Sequence, residues 1–257
     1  MANALVCIKR VVDSTGEVVL TGDAQAVDGR YAGFTTSAHE ECAVELAVRM
    51  AAATGGRASV LTVGDADAVE QLRSALAVGC TAATHVEADP ARLGPADVAR
   101  EIAAVVRDHD AAGEGHDLVL LGNDAADSGD FQVGIRLAYE LGWPVVNGVA
   151  RVEVVDGTVI ASGDGPDGHE TYRVPLPAVV TVLEGGVEPR YPSVPGRMKA
   201  KKVAIEQRAA VTEPLGANRV RLLIPPPQPS DVQILGEGPA AAPAVVDLFE
   251  RLGVLAR

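Results

Sequence analysis

The sequence predicts a doubly wound, mostly parallel α/β fold with an added β-meander and a C-terminal arm. Two observations carry that expectation. Apolar runs of strand length alternate with amphipathic helical stretches as far as Leu141. Past Pro144 the pattern turns to short apolar runs, punctuated by Asp156-Gly157 and by the glycines between 163 and 168.

Each element follows from local chemistry. Residues 4–11 read as one buried strand, and residues 16–20 as a hairpin arm. Ser37 and Glu40 fit a capping box: the hydroxyl takes a free amide at the helix start and the glutamate reaches back. The helix they open places Ala43, Leu46, Ala47 and Met50 on one face. Residues 58–63 are the next strand. Asp67 with Glu70 repeats the capping pattern ahead of a stripe of Val69, Leu72 and Leu76. Residues 85–87 form a short strand. Pro95 suits a helix start, where its missing N–H costs nothing, and Val98, Ile102, Val105 and Val106 line that helix. Residues 118–121 make a fourth strand ending at Gly122, and a helix is expected over 131–141. Residues 152–155, 159–162 and 170–174 form the meander, and 178–183 a further core strand. The chain then leaves the pattern through a Pro-rich basic stretch, 188–202. A stiff linker follows at 225–229, then a terminal helix over 242–255 that could dock on its own domain or clasp another subunit. The domain reading is 1–207 for the α/β body and 208–257 for the arm.

Composition narrows the function. The chain has 257 residues, 47% hydrophobic, enough for a sizeable core. A net charge of -13 and only 3% aromatic residues argue against nucleic-acid binding, which needs cations and stacking surfaces. No apolar run is long enough for a membrane span, and the N-terminus does not read as a signal peptide. Cys7, Cys42 and Cys80 are widely spaced, which points to a reducing, cytoplasmic setting and neither a disulfide framework nor a zinc site. His109 and His116 flank a polar loop and read as solvated.

No nucleophile elbow or Walker loop is present. Residues 163–168 mimic G-x-G-x-x-G, but they lie between two strands and lack the helix such a fingerprint needs, so they read as a turn. Two stretches are better candidates. The first is the loop Gly122, Asn123, Asp124, Ala125, Ala126, Asp127, Ser128, Gly129, Asp130, Phe131, Gln132, Val133. It leaves the carboxyl end of a buried strand and enters a helix, which suits a phosphate or nucleotide. Its aspartates repel a bare phosphate yet could accept ribose hydroxyls. A hydrated acidic connector is the other reading. The second is the stretch 188–202, with Tyr191, Pro192, Ser193, Val194 and Pro195 at its centre and cations after them. Stiffened by proline, with an apolar tip, it suits docking at low entropy cost; a solvated basic edge is the alternative.

At these residues the chain resembles the beta subunit of electron transfer flavoproteins. Glu188-Pro189-Arg190-Tyr191 with Met198-Lys199-Ala200-Lys201-Lys202 matches that family's signature. The opening Val6-Cys7-Ile8-Lys9-Arg10-Val11-Val12-Asp13, the stretch Ala43-Val44-Glu45-Leu46-Ala47-Val48-Arg49, and Gln132-Val133-Gly134 fall in register with it. The resemblance covers roughly residues 3–207. It implies an adenine-nucleotide alpha-hydrolase-like fold and an electron carrier that is not itself an enzyme. It implies a partner alpha subunit that shares FAD at the interface, and a structural AMP held by this chain. The AMP site would comprise Cys7, Ser37, Ala38, His39, Glu40, Val63 and the 122–133 loop. Many members carry Asn-Pro where this chain has Ser37-Ala38, and some relatives hold a second FAD in place of AMP. The stretch from Tyr191 to Pro195 would recognise flavin dehydrogenases, with Val194 as anchor. Asp164 would fall near the carboxylate that holds the partner's mobile flavin domain. Two other classes remain: a nucleotide-cleaving enzyme on this type of fold, which would need a pyrophosphate loop, and a nucleotide-binding regulatory module.

Overall fold

The computed structural model describes residues 1–13, 18–216, 220–226 and 232–254. They fall into two compact units, Met1–Leu222 and Leu223–Arg257.

The first unit is built on a seven-stranded, all-parallel sheet. β1 (Ala4–Ile8) lies at its centre with every residue buried. β2 (Val11–Val12) and β3 (Phe34–Thr35) form a separate two-stranded piece. The helix α1 (Ala38–Thr54) leads to β4 (Ala58–Gly64), α2 (Val69–Val78) to β5 (Ala82–Glu87), and α3 (Pro95–Ala111) to β6 (Leu118–Gly122). Then come α4 (Val133–Leu141) and β7 (Val145–Val149). The meander of β8 (Arg151–Val155), β9 (Thr158–Gly165) and β10 (Gly168–Pro175) precedes β11 (Ala178–Val182), α5 (Val194–Ala200) and β12 (Ile205–Ala209). The sheet order is β12-β5-β4-β1-β6-β11-β7.

Strand alternation divides the core in two. Ala4, Val6 and Ile8 face α1 and α2, together with the inward residues of the meander. Leu5 and Cys7 face the opposite way, onto Ile102 and Val106 of α3 and Leu137 of α4. Burial on both faces explains why β1, β4, β6 and β11 read as continuous apolar runs.

Several expectations are corrected. The strand over 4–11 ends at Ile8, because the Lys9 amide turns aside to donate to Glu40 Oε1 at 2.9 Å. Asp67 caps nothing: it lies in a 3-10 turn, and α2 starts without a side-chain cap. The helix expected from Phe131 starts at Val133, since Phe131 takes a left-handed backbone, φ 54°. The Pro-rich basic stretch is not loop throughout: Ser193 caps α5 by accepting the Gly196 amide at 3.1 Å. The chain then returns to the sheet as β12, and β7 precedes the meander. His109 and His116 are not solvated: His116 is only 7% exposed, the two rings meet at 3.1 Å, and His109 pairs with Glu206 at 2.9 Å. Of the hairpin arm at 16–20, residues 16 and 17 lie outside the described residues; Leu20 makes one antiparallel bridge to Val27. Linker residues 227–229 and Leu255 also lie outside them. The turn expected over 163–168 is narrower: Pro166 and Asp167 make it, while Gly163–Gly165 are still paired strand of β9 and Gly168 opens β10.

In the second unit, α6 (Ala242–Leu252) exposes Val246, Phe249 and Leu252.

After β12, two carboxylates of α3 hold the chain. Buried Glu101 accepts the amides of Val211 at 3.0 Å and Thr212 at 2.7 Å. Asp97, one helical turn earlier, accepts those of Leu215 at 2.7 Å and Gly216 at 3.1 Å. Glu101→Ala removes the buried carboxylate that anchors this segment, so it should lower unfolding free energy by about 1 kcal/mol in chemical denaturation and raise amide exchange at 211 and 212.

Candidate functional site

Successive crossovers from β1 run outward through β4 to β5, then return across β1 to β6. The winding direction therefore reverses between β1 and β6, and their carboxyl ends splay into a crevice where α/β sheets take ligands. A cleft with about 860 Å³ of empty space, part of it open to solvent, lies there.

Cys7 and Lys9 form its floor beside Leu61 and Val63 of β4. Glu40 enters from the start of α1. Gly122, Asn123, Asp124, Ala125, Ser128, Asp130, Phe131, Gln132 and Val133 form one wall, and Pro90, Leu93, Gly94 and Val98 the other. Twelve of the residues singled out in the sequence thus share one cleft: Cys7, Glu40, Val63 and those nine. The others border it. Ser37 caps α1, and Ala38 is that helix's first residue. His39 Nδ1 stands 3.5 Å from Asp124 Oδ1 and finds no hydrogen-bond partner. Asp127 accepts Lys9 Nζ at 2.7 Å, tying the loop to the end of β1. Ala126 and Gly129 lie on the loop's exposed side, where the amides of Ser128 and Gly129 turn back to the Ala125 carbonyl at 3.1 and 2.8 Å. Gly129 (φ 61°) and Phe131 (φ 54°) are both left-handed. Such a backbone is costly for an aromatic residue and is found where surrounding structure enforces it, often at functional sites.

Close packing fixes the walls. A Cβ on Gly122 would meet Glu40 Cγ at 2.8 Å, so α1 lies directly on the end of β6. Thr181 of β11 donates to Asn123 Oδ1 at 2.7 Å and accepts the Gly148 amide at 2.9 Å. The start of α4 carries no side-chain cap and no acid in its first turn, so its free amides can receive an anion.

Electrostatics centre on Glu40. Its carboxylate accepts the Lys9 amide at 2.9 Å and the Ser37 amide at 3.1 Å, yet burial outweighs these bonds and pushes its pKa up to about 8. Burial likewise pushes the Cys7 thiol far above its ordinary value, with Glu40 adding to it. Both groups are therefore largely protonated near neutral pH, and the thiol is no nucleophile.

The wall at 90–98 was missed in the sequence. The signal was available, since this segment follows β5 at the same carboxyl edge. The partner-facing candidates lie elsewhere. Tyr191 is 93% and Val194 76% exposed at the start of α5; Pro192 lies on a second cavity, and Ser193 and Pro195 set the helix start. Asp164, with a side chain 95% exposed, pairs with His169 at 3.2 Å in the β9–β10 hairpin.

Fold and cleft together define a doubly wound α/β protein with an open crevice at its switch point. The family model described as "Electron transfer flavoprotein domain" matches residues 30–213, and the chain belongs to the electron transfer flavoprotein beta-subunit family, whose role is electron transfer. It is 34% identical over 208 residues to the electron transfer flavoprotein subunit beta of Bacillus subtilis, covering 80% of this chain and 78% of that one. It is 36% identical over 206 residues to the human subunit beta, covering 79% of each. The subunit beta of Syntrophomonas wolfei is 31% identical over 235 residues, covering 91% of this chain and 90% of that one. Among the described residues no helix is long and apolar enough to cross a membrane, and no group of side chains could hold a metal ion.

Glu40 generates a pH prediction. Its carboxyl is raised in the folded chain, so between about pH 4.5 and pH 8 the folded state keeps a proton that the unfolded state releases. The contribution is full below the unfolded value and is lost as pH rises through the folded one, at about 1.4 kcal/mol per pH unit. Denaturant titrations from pH 5 to pH 8 should show stability falling with pH, and Glu40→Gln should flatten that slope.

Proposed function

We propose that this chain pairs with an alpha subunit to make a heterodimeric electron carrier, with AMP in the switch-point cleft and FAD shared at the subunit interface. The complex takes electrons from flavin dehydrogenases to a downstream acceptor. The observation that carries the AMP assignment is the cleft itself, where an uncapped helix start, two aspartates and an apolar wall converge.

The residues fit the group. The first amides of α4 would receive the phosphate. Asp124 and Asp130 could accept the ribose hydroxyls, and Leu61, Val63, Leu93 and Val98 offer an apolar face to adenine. The flavin, when bound, supplies the redox chemistry. This chain's residues bind, orient and dock. Val194 and Tyr191, exposed at the start of α5, would meet the dehydrogenase, and Asp164 the partner's mobile flavin domain. Three free, buried cysteines are compatible with a cytoplasmic home.

Co-expression with its alpha subunit should give a yellow heterodimer whose flavin is reduced by a flavin dehydrogenase. Mass spectrometry of the small molecules released on denaturation should find one FAD and one AMP per heterodimer. Two FAD and no AMP would move a second flavin into the cleft. A colourless complex would contradict the proposal.

A further inference from the structure

A second cavity opens between α1, α2 and residues 188–192, with about 760 Å³ of empty space, part of it solvent. The electron-carrier reading uses only its rim, Tyr191 and Pro192. Its walls are apolar: Ile8 from β1, Val44 from α1 and Val78 from α2. One side is fixed by an ion pair. Arg190 grips Glu45 through Nε to Oε2 at 2.7 Å and through one terminal nitrogen to Oε1 at 2.8 Å. Arg49 adds a third bond to the same carboxylate at 2.5 Å. The two arginines hold the Glu45 carboxyl down at about 2, so it stays ionised and fully engaged. The clamp also pins the peptide at 188–192 against α1.

Three further polar groups are not engaged in this way. Gln71 of α2 is only 4% exposed, lines the cavity, and its Oε1 has no hydrogen-bond partner among the described residues. A buried acceptor left unpaired is costly, so such an atom is rarely retained without a donor that reaches it. Glu41 and Glu188 line the same cavity, and no ion pair engages either carboxylate among the described residues. Glu41 and Glu188 thus line the cavity with no cation paired to them among the described residues, while Glu45 is already held by Arg190 and Arg49. The lining asks for a donor, a positive charge and an aliphatic stem.

We propose that this cavity is a socket for a cationic side chain, arginine or lysine, of a second protein. The head group would donate to Gln71 Oε1 and neutralise Glu41 and Glu188, while the stem lies on Ile8, Val44 and Val78. A protein source is favoured over a free amine by the rim. Tyr191 lines the cavity and yet is 93% exposed, and Val194 on the same segment is 76% exposed. An aromatic and an aliphatic side chain beside a charged socket form the pattern of an anchored protein interface. The socket is independent of what occupies the switch-point cleft.

Calorimetric titration of the purified full-length complex with N-acetyl-arginine amide tests it. N-acetyl-citrulline amide, the neutral isostere, and agmatine, a free cation, serve as comparisons. Saturable binding of the arginine probe is expected, at least about tenfold tighter than citrulline. Gln71→Leu and Glu41→Gln should each weaken the arginine probe several-fold and leave citrulline unchanged. Glu41 is exposed, so its variant keeps the test valid if Gln71→Leu fails to fold. Equal binding of arginine and citrulline, no saturable arginine binding, or unchanged affinity in Glu41→Gln would overturn the socket. Agmatine binding tighter than the arginine probe would overturn the protein source and assign the cavity to a free amine.

Discussion

The structure turns on one carboxylate, that of Glu40. It closes the capping box with Ser37, so α1 starts where it does. It also takes the Lys9 amide, so β1 stops where it does. Its stem fills the space against Gly122, so β6 ends beside both. Three elements therefore meet at one buried side chain. The crevice between β1 and β6 keeps its shape because none of the three can slide.

Around that point the fold is organised by side-chain alternation. Odd and even residues of β1 belong to different cores, one under α1 and α2, the other under α3 and α4. The reversal of winding at the central strand leaves the carboxyl ends of β1 and β6 uncovered. Gly134 shows how tightly the far side is set: a Cβ there would meet Thr181 Cγ2 at 2.3 Å, so α4 lies close on β11. The start of that helix is thereby aimed along the cleft wall. Carboxylates recur as fasteners: Glu45 holds the segment before α5, and Glu101 and Asp97 hold the chain after β12.

Much of this was legible in the sequence. The Ser37 and Glu40 pair, Pro95 and the apolar run of 118–121 state their structures locally. So does the polar loop after Gly122, which lines the cleft as expected. What was not legible depends on distant partners. β1 is cut short by a bond to a residue thirty-one positions on. His109 is held by Glu206, which arrives only when β12 pairs with β5, and His116 packs behind His109. β7 and β12 carry too little apolar alternation to stand out, and they form because a parallel neighbour offers them a ladder. The short α5 is masked by its prolines, although a Ser-Val-Pro start is a helix signal once Ser193 is taken as the cap.

We propose above that the crevice between β1 and β6 holds the adenine nucleotide of an electron-carrying heterodimer. Photolabelling of the purified complex with 8-azido-AMP, followed by peptide mapping, tests this directly. The account predicts label on the segments at 7–9, 90–98 or 122–134, removed by excess AMP. Label confined to other segments, or label that excess AMP does not displace, would contradict it.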